Sequence, residues 1–435
     1  MSSYKENAGY HFLVFAFSPV LGMIYAIKTK SKTVIRWSIF AFTVIYGSLF
    51  HKSFLGDGAV HWEKVYTNYT YLSFEVWWDR MLAIFAFAPT IYTNDDPYIH
   101  IISYIVGTIF NAPGLFFVAV SLIYAYFYSG AIVKLLSYVD WKSNYKNFFF
   151  WFFLVFLILW KPPLDMQTVR SWTGMWVLIY AVISYYETKK KKYLLLALMP
   201  PFFHVGYLVL AVPVWFVLFT GFRNPRLYFI VFVLSILFSN IIGQIGFNET
   251  VSQTKLGASK TNAYYVDEER AEHLEEKRLE AAESQTFYKV FERYKVHLNV
   301  LTGLVIFIYL FLSKNGFGKL ENTLFSYGLA TASLANFFTQ IFAVHNRAWQ
   351  IAGVFILTLL VVFLSKNDLR NIRFSFLKVR LPLTIFFLAI TPYFLYLISL
   401  NLAYTSPYIF LLPQAHWINP EEAGLSLRQF IGLFL

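Results

Sequence analysis

The chain has 435 residues, of which 58% are hydrophobic, 21% aromatic and only 14% charged, a balance that excludes an ordinary water-soluble domain. Its formal charge of +12 falls mostly in short loops between apolar runs, the pattern of a membrane protein, and calls for no nucleic-acid partner. With no cysteine in the sequence, disulfides, thiolate catalysis and cysteine-ligated metals are excluded.

A bilayer core of about 30 Å takes roughly 20 apolar residues per helix. Apolar runs at residues 12–26, 37–50, 114–133, 148–160, 171–186, 227–242, 298–312, 324–342, 348–364 and 383–402 predict crossings. The first run lacks a basic segment before it and is followed by a basic loop, so a crossing is expected there and not a cleaved leader. Lys28, Lys30, Lys32 and Arg36 follow it; Lys134, Lys142 and Lys146, then residues 189–192, then Lys314 and Lys319, then residues 366–380 mark further basic turns. Placing all of these in the cytoplasm leaves one region to resolve, residues 193–220. Pro200-Pro201 interrupts it, and proline stops a helix through its missing N–H and its ring. Two legs meeting near His204 close the alternation. The expected fold is an all-α polytopic membrane protein, one transmembrane domain over residues 1–435, with about twelve crossings, broken or re-entrant helices among them, and both termini outside.

Two outer segments are long. Residues 51–97 carry aromatic and acidic side chains and a short apolar stretch, 81–92, expected to be interfacial or re-entrant, with 98–110 continuing it as a shallow helix. Residues 248–297 alternate Glu with Lys and Arg at helical spacing, which predicts a charged, solvated helix over the outer side.

Charges that the basic loops do not explain are costly near a membrane and are the functional candidates. On this topology Asp57, His61, Asp95, Asp96, Asp165, Arg170, His204, His345 and Arg347 all fall at the outer ends of spans or in outer loops. Arg170 and Arg347 are each expected to open a span, where two guanidiniums and the helix dipole suit a diphosphate; a lone arginine there would merely snorkel to the interface. His204 has a near-neutral pKa suited to a general base or to binding a sugar hydroxyl, and reads equally as a buried structural histidine. Asp57, between Gly56 and Gly58, and Asp96, before Pro97, fit ordinary turns, yet either carboxylate is chemically able to act as a base. Asp95-Asp96 is a weak signal for a divalent cation, so no metal site is assigned. No phosphate-binding or dinucleotide-binding glycine motif and no HExxH is present, which leaves nucleotide-driven chemistry without a visible site and no cofactor expected.

Gln167-Thr168-Val169-Arg170 at the head of a span, the 189–192 turn and the run Phe202-Phe203-His204 together resemble the EpsG-like branch of the Wzy-type polysaccharide polymerases. Gly56-Asp57-Gly58 with the aromatic stretch 62–71, Asp96-Pro97-Tyr98 and His345-Asn346-Arg347 are similar to further parts of that branch. The resemblance implies a metal-independent, glycosyltransferase C-like enzyme of the bacterial cytoplasmic membrane, its active site facing the periplasm or outside. Its substrate would be an undecaprenyl-diphosphate-linked oligosaccharide, its surroundings the lipid bilayer, and a chain-length regulator an optional partner. On this basis Arg170 and Arg347 are expected to hold the diphosphate and His204, Asp57 and Arg170 to be catalytic. Gln167, His61, Asp96 and His345 are expected to contact substrate. The spacing from Arg170 to Gly174 departs from the longer arginine motifs of better-known members. A flippase or other transporter, a ligase, and a metal-dependent glycosyltransferase using Asp95-Asp96 stand as the competing readings.

Overall fold

The computed structural model describes residues 2–50, 57–88, 96–142, 148–239, 294–312, 317–339, 342–367, 380–415 and 426–432. Among these the chain is helical, with no strand. Four helices are long and apolar enough to cross a membrane: Pro113–Leu136, Phe148–Thr168, Val344–Lys366 and Thr384–Tyr404. In chain order we number α1 Ser2–Phe17, α2 Pro19–Lys28, α3 Lys32–Ser48, α4 Asp57–Asn68, α5 Phe74–Phe85, α6 Pro97–Tyr104, α7 Phe116–Leu136, α8 Phe148–Trp160 and α9 Ser171–Thr188. Then come α10 Lys192–Ala197, α11 Pro200–Phe203, α12 Tyr207–Leu210, α13 Val212–Thr220, α14 Pro225–Leu237, α15 Tyr294–Phe307, α16 Lys319–Phe337, α17 Phe342–Lys366, α18 Arg380–Tyr404 and α19 Leu427–Gly432. The innermost element is α17, buried along its apolar length, packed between α16 and α8, while α18 lies at the periphery.

Among the described residues, the basic helix ends gather at one end of the bundle. Lys134 at the end of α7 pairs with Glu187 at the end of α9, and Lys366 at the end of α17 pairs with Glu321 at the start of α16 at 2.6 Å. At the opposite ends lie the polar residues singled out from the sequence, Arg170 as the N-cap of α9 and Arg347 in the second turn of α17.

The single crossing expected at residues 12–26 is not formed. Ser18 is extended (φ −144°, ψ 103°) and caps α2, because the residue before proline is driven out of the helical region. The chain folds back there: His11 reaches the Gly22 carbonyl at 3.2 Å and stacks on Tyr25. A Cβ at Gly22 would come within 2.7 Å of the Phe15 backbone, so only glycine permits the close approach. At ten residues α2 spans about 15 Å, half a bilayer core. The beginning of α1 therefore lies on the side of Lys28, contrary to the expected outer N-terminus.

Other expectations shift as well. Residues 98–110, expected as a shallow helix, form α6 and a π-helical turn, Ile105–Ile109, and Tyr98, Ile99 and His100 are buried inside the protein. His100 pins α6 to its neighbours, accepting or donating at Nδ1 with Tyr69 Oη (2.7 Å) and donating from Nε2 to the Trp77 carbonyl (3.0 Å). Helix α5 exposes Phe74, Trp78, Leu82 and Phe85, in keeping with an interfacial position. The region 193–220 is two broken legs, α10–α11 and α12–α13, that bend at His204. Residues 89–95, and 248–293 of the charged outer segment, lie outside the described residues.

Candidate functional site

Four elements bring their polar residues to one point. Asp96 precedes α6 at the N-cap position with Pro97 following, a common start for a helix. Its carboxylate does not cap α6. Instead, Oδ2 accepts from Arg170 at 3.0 Å and from His204 Nδ1 at 2.9 Å, and Oδ1 accepts the Val205 backbone N–H at 3.0 Å. Arg347 then donates to His204 Nε2 at 2.9 Å. The result is a continuous chain, Arg170 to Asp96 to His204 to Arg347, in which Asp96 is 1% and His204 4% exposed.

This bonding sets the histidine's state. Nδ1 must carry the proton to donate to the carboxylate, and Nε2 must be bare to accept from a guanidinium. His204 is therefore neutral, and a second proton would place an N–H against the N–H of Arg347. Two guanidiniums thus converge on one buried carboxylate and its histidine, and guanidiniums are the side chains best suited to bind an anion such as a diphosphate.

Local geometry explains how Arg170 gets there. The Pro163–Thr168 turn leads into Val169, whose backbone is at φ 56°, ψ −60°, with the Arg170 N–H reaching the Thr168 carbonyl at 2.5 Å. This is a γ-turn of the rare positive-φ kind, strained for a β-branched residue, and such strain of about 1–3 kcal/mol concentrates at functional sites. Val169 is fully buried and its carbonyl accepts from Thr173 Oγ1 at 2.6 Å, which holds the kink. Arg170 follows as the N-cap of α9. Four residues on, Gly174 leaves room for the Tyr207 ring, which a Cβ would approach to 2.8 Å; Tyr207 Oη donates to the Ser171 carbonyl at 2.7 Å. That contact clamps the His204 bend against the head of α9 and gives the short Arg170-to-Gly174 spacing a packing reason.

The remaining candidates divide. His61, 5% exposed on α4, is held well below its ordinary pKa by burial and then by the charges of Arg170 and Lys64, with Asp96 opposing. Its Nδ1 is buried with no hydrogen-bond partner among the described residues. Gln167 sits on the turn against which α4 packs, and its Nε2 is likewise unpartnered, as are Trp62 Nε1, Ser171 Oγ, Trp349 Nε1 and Gln350 Oε1. His345 points elsewhere, donating from Nδ1 to the Ala335 carbonyl at 2.7 Å and tying α17 to α16. Arg347 does not open its helix as expected, since α17 starts five residues earlier at Phe342; the helix dipole gives it less help than it gives Arg170. Asp57 begins α4, its side chain outside the described residues, as is Asp95. Lys161 pairs with Asp165 at 3.3 Å and stands 4.1 Å over the Trp172 ring, two residues along from Arg170 in sequence.

The strain at Val169 and the Val205 amide escaped the sequence reading, since neither residue type announces chemistry. The Asp96 hub did have a readable signal, a carboxylate directly before Pro97. Compared with protein-family models, with curated proteins and with solved structures, the chain matches none.

Proposed function

We propose that the chain is a polysaccharide polymerase of the bacterial cytoplasmic membrane, joining undecaprenyl-diphosphate-linked oligosaccharide repeats at its outer face. The observation that carries this reading is the Arg170–Asp96–His204–Arg347 chain, a buried site that brings two guanidiniums together at the end of the helices away from the basic loops. With those loops in the cytoplasm, the site faces outward. The folded-back α1–α2 pair removes one of the expected crossings, leaving about eleven. The legs leading to His204, α10–α11 and α12–α13, are short for a bilayer, so the site is recessed, at a depth a lipid-linked diphosphate reaches.

In the reaction an acceptor hydroxyl attacks the anomeric carbon of the lipid-linked chain. The bond from that carbon to the diphosphate oxygen breaks, and the leaving group departs with the electron pair. Arg170 and Arg347 stabilise the growing negative charge. Asp96 orients Arg170, and neutral His204 positions Arg347; with both nitrogens engaged, it is a positioning residue and not the base. The hydroxyl proton passes to the Asp57 carboxylate, the base that the sequence names on α4, while the buried Nδ1 of His61 on the same helix has no hydrogen-bond partner among the described residues. The unpartnered polar atoms around the site suit a ligand rich in hydroxyls.

One observation favours a transporter instead: broken half-helices meeting at a polar site are common in secondary transporters. Purified protein incubated with its lipid-linked repeat, without nucleotide, separates the two. A ladder of products spaced by one repeat is expected, abolished in Arg170→Ala while the protein stays folded in the membrane. Unchanged substrate with folded wild type would favour transport, and wild-type polymer from Arg170→Ala would end the assignment.

A further inference from the structure

The basic end of the bundle contains a second constellation that the proposed reaction does not use. Lys189, the C-cap of α9, adopts a left-handed conformation (φ 57°, ψ 16°), which turns its side chain back over the helix. Its Nζ stands 5.2 Å from the Tyr185 ring centre and 5.0 Å from that of Tyr186. Arg223, from the turn between α13 and α14, stands on the same Tyr186 ring at 5.8 Å. Lys319 begins α16, which packs along both α13 and α14, the helices that Arg223 joins. Lys189 and Arg223 thus share one ring, and Lys319 lies at the same end of the neighbouring helix.

Like charges so placed repel, and among the described residues the two nearby carboxylates are each engaged by another lysine, Glu187 by Lys134 and Glu321 by Lys366. Aromatic faces offset part of the cost. The Nε of Arg223 is buried without a hydrogen-bond partner among the described residues, which leaves the outer nitrogens of the guanidinium to meet a ligand. Exposed apolar side chains follow on the adjoining helices: Phe222 next to Arg223 in sequence, Phe216 and Phe219 on α13, and Leu195 and Leu198 on and just after α10, which Trp215 Nε1 ties to α13 by donating to the Ala197 carbonyl. Cations above a strip of exposed apolar side chains match a phosphate headgroup above its acyl chains, whereas a soluble anion would have no use for the strip.

We infer that Arg223, Lys189 and Lys319 form a binding site for the phosphate of an anionic phospholipid, at the junction of α9, the α13–α14 turn and α16. The site takes charge from the headgroup, and the apolar strip takes the chains. A bound lipid here bridges three helices that also lead to the polar site, and stabilises the folded bundle by mass action.

The test uses the full chain purified in a neutral detergent, with melting followed as phosphatidylglycerol, phosphatidylcholine or inorganic phosphate is added. Phosphatidylglycerol is expected to raise the melting temperature by several degrees, and the other two to leave it nearly unchanged. The Lys189→Gln/Arg223→Gln double variant should lose most of that rise, and Lys319→Gln part of it. A control, Lys28→Gln/Lys30→Gln/Lys32→Gln, removes three cations from another basic loop and should keep the full rise. Equal shifts with the two lipids, an equal shift with inorganic phosphate, or loss of the rise in the control as large as in the double variant would each overturn the site. Should the double variant fold poorly, Lys319→Gln, which alters an exposed helix start, decides between a partial loss and none.

Discussion

The two ends of the bundle use the same residue types to opposite effect. At the basic end, Lys134 and Glu187 are each about a quarter exposed, and cations rest on tyrosine rings at the protein surface. At the other end Asp96 and His204 are almost wholly buried, and each charge is fixed by a partner from a different element. A charge in water costs little to leave alone, while a charge in an apolar interior must be paired and hydrogen-bonded. The first end therefore tolerates variation, and the second is an all-or-none assembly.

The sharpest way to break that comparison is to remove the hub. Asp96→Ala leaves Arg170, His204 Nδ1 and the Val205 amide without their shared acceptor, and loss of one partner from a buried ionic network costs about 3–5 kcal/mol. Folded protein should fall severely, read as yield and melting temperature in detergent. Asp96→Asn is expected to be nearly as damaging, because an amide NH2 in place of Oδ2 would point its hydrogens at two other donors. A loss under about 1 kcal/mol in Asp96→Ala would show that the polar end is no more cooperative than the basic one.

Acid should divide the ends next. His61 is held below its ordinary pKa of about 6.5, so it is neutral in the fold and gains a proton more readily when unfolded. Its folded-state advantage is complete above pH 6.5 and is lost as the pH falls below it, at about 1.4 kcal/mol per pH unit. The melting temperature is expected to drop between pH 7.5 and 5.5, and His61→Gln should flatten that drop. A drop of the same size in the variant would show that the burial of His61 is not what makes the fold acid-sensitive.

How much of this was readable in the sequence follows the same division. The basic end was legible because lysines and arginines in loops mark one side of a membrane by simple electrostatics, and the structure gathers them. Arg170, Arg347, His204 and Asp96 were legible as residue types, since a polar group between apolar runs is expensive. Their partnerships were not, because separations of 74 residues between Asp96 and Arg170 and 143 between His204 and Arg347 leave no local trace. The fold-back at Ser18 was missed for a different reason. Pro19 stood in plain view inside the run 12–26, but hydropathy averaged over a window passes across a single extended residue. The start of α17 was misjudged because Phe342 to Arg347 mixes polar with apolar residues, and buried helix ends carry polar residues when neighbouring elements satisfy them, as Ala335 does for His345.

The smallest expected effect tests the basic end itself. Lys134 and Glu187 close the gap between the ends of α7 and α9, and a pair so exposed is worth about 0.2–1 kcal/mol, screened by salt. A double-mutant cycle with Lys134→Gln and Glu187→Gln, read from melting at low and high ionic strength, should give a coupling below about 1 kcal/mol that fades as salt is added. Neither single variant should touch the polar site, which lies at the opposite end of α9, a helix of 18 residues and so about 27 Å long. A coupling of several kcal/mol that salt leaves intact would mean that this pair is buried in function if not in exposure, and the contrast between the two ends would collapse.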